Sequence, residues 1–353
     1  MGLRTTGGHM SLRDGGLEPL DIGGVPETAA PHESGRRNVW AVVLAGGEGR
    51  RLRPLVRRLY GDDRPKQYVK LLGARTLLGQ TLDRTELAIP FERTVVVTMS
   101  RHAGYLAEEF PGPDRPHLLV QPEDRGTAAA VLYAAHRVGW RDPGATIAIF
   151  PSDHFVPAAA RFMAHVAEVA AWVDRHPERI VLLGAPPTTP EVQYGWVEPG
   201  GPLGEVTTGP VCAVRRFSEK PTQERARAYL AAGYLWNTSV IVGKVAAFVE
   251  AGRRGVPVVS DRLERLRLFD GTPDEVAAAH QAYLLMPKAN FSRAVLETCP
   301  DALAVSKLPR LVWSDLGSPR RVIDTLRRLG VAAGSIHVSL ASGEAPKEVT
   351  ACR

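Results

Sequence analysis

The 353-residue sequence has little of what marks an exported, membrane-embedded or covalently stapled protein. Its three cysteines, Cys212, Cys299 and Cys352, are scattered, odd in number and without a C-x-x-C pair. That argues against a disulfide framework and against a zinc site. No apolar run approaches the roughly 20 residues that a bilayer requires, so no membrane span is expected. The N-terminal stretch lacks an apolar signal core, and a cytoplasmic location follows as the expectation. Neither sign of charge dominates: 44 basic residues stand against 38 acidic ones, mostly interspersed, for a net charge of +6. A nucleic-acid binder would gather that excess into a stripe with aromatics, so no nucleic-acid partner is expected. A small positive balance suits anionic small molecules better.

What is present is ordinary globular material, 44% hydrophobic and 23% charged, in a chain long enough for one large α/β domain with a small second lobe. Residues 1–37 are rich in Gly, Pro, Arg and Glu without periodicity and read as a disordered leader. Beyond them, strand-like runs at 40–44, 94–98, 118–120, 146–150 and 180–184 alternate with amphipathic stretches at 77–87, 127–138 and 158–173. That alternation predicts an α/β fold with a doubly wound, mostly parallel sheet. Ligands of such sheets sit at the carboxyl ends of the strands. From about residue 190 the pattern changes. Strands at 194–197, 211–217 and 239–242, broken by Gly and Pro, read as a smaller mixed insertion. Helices are expected near 222–232, 244–251, 273–285 and 319–329, and the apolar segment 291–297 as strand or helix. Residues 326–353 form the expected tail. No hexapeptide repeat of an appended β-helix occurs.

The most informative stretch follows the first apolar run: Leu44-Ala45-Gly46-Gly47-Glu48-Gly49-Arg50-Arg51. Glycines permit positive φ and close backbone approach to a ligand. Successive backbone N–H groups make an anion-binding hollow, and arginines add forked donors that match phosphate oxygens. The dinucleotide fingerprint fails because Leu52 stands where its third glycine belongs, and no Gly-Lys-Ser/Thr of a Walker loop occurs. The segment reads as a triphosphate cradle of another kind, with an ordinary glycine turn as the plain alternative.

Further along come Arg64-Pro65-Lys66-Gln67, Gln121-Pro122 with Arg125-Gly126-Thr127-Ala128, and Phe150-Pro151-Ser152-Asp153-His154. They are followed by Gly195-Trp196-Val197, Phe217-Ser218-Glu219-Lys220-Pro221, Leu235-Trp236-Asn237-Thr238 and Trp313-Ser314-Asp315-Leu316-Gly317. In this order they resemble the signatures of sugar-phosphate nucleotidyltransferases over about residues 38–325. The Pro-Lys-Gln form is most similar to mannose-1-phosphate guanylyltransferases. The resemblance implies a Rossmann-like nucleotidyltransferase fold of GT-A type, with a nucleotide half at 38–190 and a sugar-binding half at 191–325. It also implies transfer of a nucleoside monophosphate from GTP to a hexose-1-phosphate, with Mg²⁺ as cofactor and release of pyrophosphate. There is no room in the chain for the isomerase domain that some similar enzymes carry. A homo-oligomer stays open as a partner.

Residue by residue, the resemblance implies catalytic roles for Arg51, Lys66, Asp153 and Lys220. Nucleotide contacts would come from Leu44, Ala45, Gly46, Gly47, Gly49, Arg50, Gln121, Gly126 and Thr127. Gly195, Glu219, Lys220 and Asn237 would bind the sugar phosphate, and Asp153 with Asp315 the metal. Gly126 stands where an asparagine is usual, which puts base choice in doubt, and Trp196-Val197 depart from the commoner Tyr-Ile. His154, beside Asp153, reads as a packing residue, because the nucleophilic phosphate already carries its charge and no proton has to move. Two other readings stand beside this one: the same chemistry with another base or hexose, and a silent subunit that only binds sugar nucleotide. A nicotinamide dehydrogenase fits worse, given Leu52.

Overall fold

The apolar runs at 40–44, 94–98 and 146–150 are buried on both faces, as strands are when helices cover them above and below, whereas the edge run at 118–120 is partly exposed. The computed structural model describes residues 38–113 and 115–329, so the expected leader 1–37 and the tail from 330 onward lie outside the described residues. Strands β1 (Val39–Leu44), β2 (Thr94–Met99), β3 (His117–Gln121) and β4 (Thr146–Pro151) lie in the order β3-β2-β1-β4, all parallel. Helices α1 (Arg53–Tyr60), α2 (Leu77–Glu86), α3 (Ala103–Glu109), α4 (Thr127–Arg141) and α5 (Ala159–Arg175) run between them or follow. Because side chains alternate along a strand, Val42, Val95, Ile147 and Ile149 join α4 in one core layer. Ala41, Ala148 and Phe150 join α5 in the other.

The second half enters the same sheet. β5 (Ile180–Ala185), β6 (Gly195–Val206), β7 (Gly209–Glu219), β8 (Leu235–Lys244) and β9 (Leu303–Lys307) complete the order β3-β2-β1-β4-β8-β5-β9-β7-β6. β8 slots antiparallel between β4 and β5, so the segment expected at 239–242 is the inner part of a central strand. β9, which the sequence pattern did not announce, lies parallel to β5. The long β6–β7 hairpin forms the edge, and the start of β6 also pairs with the start of β8. The sheet is thus parallel on its N-terminal side and mixed beyond β4.

Helices α6 (Gln223–Ala231), α7 (Val245–Gly255), α8 (Pro257–Arg265), α9 (Glu275–Leu284) and α10 (Pro319–Arg328) complete the chain. Thr76, Thr222 and Ser318 cap α2, α6 and α10 through their hydroxyls. Segment 291–297 winds into a single π turn, Ser292–Leu296. No helix among the described residues is long and apolar enough to cross a membrane. Cys212 and Cys299 are unbridged, and Cys352 lies outside the described residues.

Strand direction explains where the site forms. β1, β2, β3 and β4 end at one edge of the sheet. β8 runs against β4, so it begins there, and the β6 start meets the β7 end beside it. Residues that follow parallel strands and residues that open antiparallel ones are therefore delivered to the same rim.

Candidate active site

The chain leaves β1 through Ala45, whose N–H donates to Val97 O at 2.7 Å, and enters the glycine loop. Gly49 has φ 59, and a Cβ there would come within 2.9 Å of the Lys66 nitrogen, so both conformation and space demand glycine. The Arg50–Leu52 turn then leads into α1 with proline in its first turn. Gln67, 1% exposed, donates its Nε2 to Ala45 O at 2.8 Å and Gly47 O at 2.9 Å. The amides of Gly46, Gly47, Glu48 and Gly49 donate no hydrogen bond among the described residues. Unused N–H groups in a loop pinned from behind are what an anion-binding hollow needs.

Glu48 is held by two arginines, with a histidine beside them. It pairs with Arg53 at 2.6 Å and Arg101 at 2.5 Å, with His102 at 3.6 Å. Burial pushes its carboxyl up, but Arg101, His102 and Arg53 outweigh that and keep it below the usual range. Beside it, a hollow of about 300 Å³ is lined by Glu48, Gly49, Arg50, Arg51, Leu52, Lys66, Asp153 and Gly317.

Lys66, 6% exposed, is the centre of this hollow. Its Nζ lies 2.9 Å from Asp153 Oδ2 and donates to the Asp315 carbonyl at 2.5 Å. One ammonium thus joins the end of β4 to the Asp315 loop, which lies 249 residues after Lys66 itself in the chain. The two acids differ in state. Asp153 keeps about a quarter of its side chain exposed. The Asp315 carboxylate accepts from Arg321 Nη1 at 2.9 and 2.7 Å, from Tyr194 Oη at 2.8 Å and from Gly317 N at 3.0 Å. Arg51, half exposed, reaches it at 3.6 Å. Burial raises the Asp315 carboxyl, but the Lys66 and Arg321 charges and the Tyr194 bond hold it below the ordinary range. Tyr194 is driven the other way by burial and the neighbouring Asp315 charge, so its hydroxyl stays a donor.

His154 is largely enclosed, pulled down to about 4 by desolvation, and accepts from Trp313 Nε1 at 3.3 Å. It is a neutral packing partner of Trp313, whose ring stands edge-on at 5.3 Å.

The expected sugar-side group also assembles. A Cβ on Gly195 would meet Glu219 Oε2 at 2.9 Å and Asn237 Cβ at 3.3 Å, so the glycine lets those two side chains approach each other. Asn237 is buried, and its Oδ1 accepts from Ser239 N at 3.0 Å, an Asx-type turn that supports Ser239 at φ 59. Lys220 sits at φ 51, a strained backbone for a side chain of its size, with Nζ 3.4 Å from Glu219. Its N–H donates to Tyr194 O at 3.1 Å, which links this group to Asp315 through the tyrosine. Burial raises the Glu219 carboxyl despite Lys220. A second cavity of about 520 Å³, lined in part by Arg51, Tyr194, Trp236, Trp313 and Arg321, opens on this side.

Among the expected nucleotide residues, Gln121 is buried against Gly46, with Oε1 accepting from Tyr283 at 3.2 Å. Gly126 and Thr127 are engaged structurally. Ala128 N donates to Ala289 O at 3.1 Å, and the Thr127 hydroxyl accepts from Phe291 N at 2.8 Å, which ties the start of α4 to the 289–291 segment. Sequence reasoning missed the roles of Gln67, Glu48, Tyr194 and Arg321. Gln67 lay inside a recognised motif, but a buried amide that pins a loop leaves no periodic signal. Arg321 acts across the turn from Asp315 to α10, a pairing that only the fold discloses.

The donor set meets the needs of a magnesium ion only in part. Among the described residues no group of three or more His, Cys, Asp or Glu is placed to hold a metal ion. Mg²⁺ is commonly held by one or two carboxylates, with phosphate oxygens and water filling the rest. Asp153 fits that part. Both acids expected to converge are ion-paired, Asp315 with Arg321 and Asp153 with Lys66, and Asp153 is the more exposed of the two.

Comparison with known proteins gives the family and the fold. The Nucleotidyl transferase family model matches residues 40–329. A xanthan biosynthesis protein XanB of Xanthomonas campestris pv. campestris (strain ATCC 33913) is 30% identical over 299 residues, which are 83% of this chain and 60% of that protein. A mannose-1-phosphate guanylyltransferase of Escherichia coli (strain K12) is 29% identical over 290 residues, 79% of this chain and 58% of that one. The chain therefore spans about three-fifths of the length of the curated relatives it matches. Among solved structures, one named mannose-1-phosphate geranyltransferase from Thermus thermophilus superposes with a TM-score of 0.70 at 28% identity, covering 84% of this chain and 80% of that one. An inositol-1-phosphate CTP transferase from T. maritima, 14% identical with a TM-score of 0.51, shares the fold and covers 85% of this chain and 99% of that one.

Proposed function

Because the chain belongs to the Nucleotidyl transferase family over residues 40–329, we propose that it transfers a nucleoside monophosphate from GTP to mannose-1-phosphate, with pyrophosphate as the leaving group. The observation that carries the reading is the clasp of Lys66 between Asp153 and the Asp315 carbonyl, at the mouth of a loop with four unused amides. The guanine and mannose assignments draw on the relatives named mannose-1-phosphate guanylyltransferase; the transfer step draws on the site.

A phosphate monoester is largely dianionic at neutral pH, with a second pKa of about 6. A hexose-1-phosphate oxygen can therefore attack the α-phosphorus without a general base. The leaving pyrophosphate takes the bonding pair, and no covalent enzyme intermediate is required. The protein's task is charge neutralisation and alignment. The loop amides and Arg51 would hold the triphosphate, with Arg50 at its rim. Lys66 would follow the charge as it shifts. Lys220 would bind the sugar phosphate, while Glu219 and Asn237 take hydroxyls beside Gly195. Asp153 would hold Mg²⁺, and Asp315 would join it only on parting from Arg321. When bound, the ion would supply further neutralisation of the triphosphate oxygens.

Pyrophosphate release measured over a matrix of triphosphates and hexose-1-phosphates tests the proposal. GTP with mannose-1-phosphate is expected to turn over fastest. Faster turnover of another pair would reassign the base or the sugar. Silence with every pair would leave a sugar-nucleotide-binding subunit.

A further inference from the structure

Arg84 is a cation without a counter-ion. It lies on α2 with 5% of its surface exposed, and no carboxylate pairs with it among the described residues. Its Nε has no partner, its guanidinium stands 5.7 Å over the Phe162 ring, and Nη2 donates to Thr81 Oγ1 at 3.0 Å. Burial lowers its pKa to about 10, which leaves it charged at neutral pH. Removing a guanidinium from water without a carboxylate opposes folding. The fold therefore tolerates an unfavourable group at a defined place.

That place is behind the catalytic rim. The Thr81 hydroxyl, which accepts from Arg84, donates in turn to the Ser152 carbonyl at 3.3 Å. Ser152 is 2% exposed, and its N–H donates to Leu44 O at 3.2 Å, at the start of the glycine loop. The next residue is Asp153. A hydroxyl that accepts from a cation becomes a stronger donor, because each bond polarises the next.

We propose that Arg84 is a positioning residue for Asp153: through Thr81 it fixes the Ser152–Asp153 peptide and so presents the carboxylate to Lys66 and to the substrates. The catalytic part of this statement rests on the function proposed above. Arg84 touches no substrate and would act through the relay.

The test uses the full chain with Arg84→Met, Thr81→Val and the double variant. Replacing a buried unpaired charge with an apolar side chain of similar volume is often neutral or stabilising, so Arg84→Met should melt at or above the wild-type temperature. Its kcat should fall about tenfold while KM for the triphosphate changes less than about twofold, the pattern of a lost transition-state contribution. Thr81→Val should lose a comparable factor, and the double variant no more than either alone, because members of one relay are non-additive. Arg84→Lys, with the charge but not the fork, should fall between. Independently of turnover, hydrogen exchange across 152–155 should quicken in Arg84→Met and Thr81→Val. A lower melting temperature with unchanged kcat, multiplying losses in the double variant, or unchanged exchange would each overturn the relay. If Arg84→Met does not fold, Thr81→Val decides. Absence of turnover in the wild type would strike the function instead, and the exchange experiment would still judge the relay.

Discussion

The two flanks of the rim deliver their side chains by opposite means. On the parallel flank, the functional groups follow strands: the glycine loop leaves β1 and Asp153 leaves β4. Asp153 remains partly open, in contact with Lys66 alone among strong partners. On the antiparallel flank, Gly195 opens β6, Asn237 lies near the start of β8 and Glu219 closes β7. Their neighbour Asp315 is enclosed by Arg321, Tyr194, Gly317 and Arg51. Asp153 is the open acid of the rim and Asp315 the enclosed one. Under the proposed function, charge at Asp153 should therefore govern rate, and charge at Asp315 should govern stability.

That contrast can be broken most decisively at Asp153. Asp153→Asn is expected to cut turnover on the order of 10³-fold, about 4 kcal/mol of barrier, with little change in melting temperature. A large stability loss would mean that the open acid is structural after all. Asp315→Asn should do the reverse in kind. It removes the charge of the carboxylate whose two oxygens share Arg321 Nη1, and leaves the guanidinium with Glu191 as its anionic partner. Breaking a buried pair from one side destabilises by about 3 kcal/mol, read in a denaturant titration. If Asp315→Asn were as stable as wild type, the enclosed network would not be what holds that flank.

Lys220→Ala sharpens the division within the site. Sugar-phosphate affinity should weaken about tenfold, or about 1.4 kcal/mol, while GTP affinity holds, and calorimetry separates the two. The smallest effect is a difference in pH response between the two buried carboxyls. Asp315 is held below its unfolded value, so its contribution is present at neutral pH and disappears as pH falls through its folded pKa. Glu219 is raised by burial, so its contribution is present at acid pH and is lost as pH rises through its folded pKa. Glu219→Gln should thus gain stability relative to wild type toward neutral pH, whereas Asp315→Asn should lose it. Parallel pH profiles for the two variants would contradict the opposite environments.

The parallel flank was legible in the chain because its signals are local. A buried strand that ends in Gly46–Arg51, and another that ends in Asp153, announce themselves within about ten residues. Lys66 was legible inside Pro65-Lys66-Gln67, although not as a clasp between two distant acids. The centre of the sheet was not legible. β8 and β9 take their places through pairings with β4 and β5, and nothing in the short run Leu303–Lys307 says which neighbour it will find. Thr127 shows the limit at a single residue: nothing in its motif announces that its hydroxyl accepts from the Phe291 amide, 164 residues away. Arg84 shows it for charge, since no pattern in α2 reveals that its partner is a hydroxyl rather than an acid.

The insertion of β8 between β4 and β5 bears on how the chain is made. A ribosome emits β1 through β5 first, yet two of those strands cannot meet their neighbour until residues 235–244 have emerged. Non-local pairing of that kind slows folding and leaves unpaired edges in waiting. The Lys66 clasp is later still, because its second arm is the carbonyl of Asp315. A nascent chain therefore carries the glycine loop without a finished pocket around it until residue 315 has emerged.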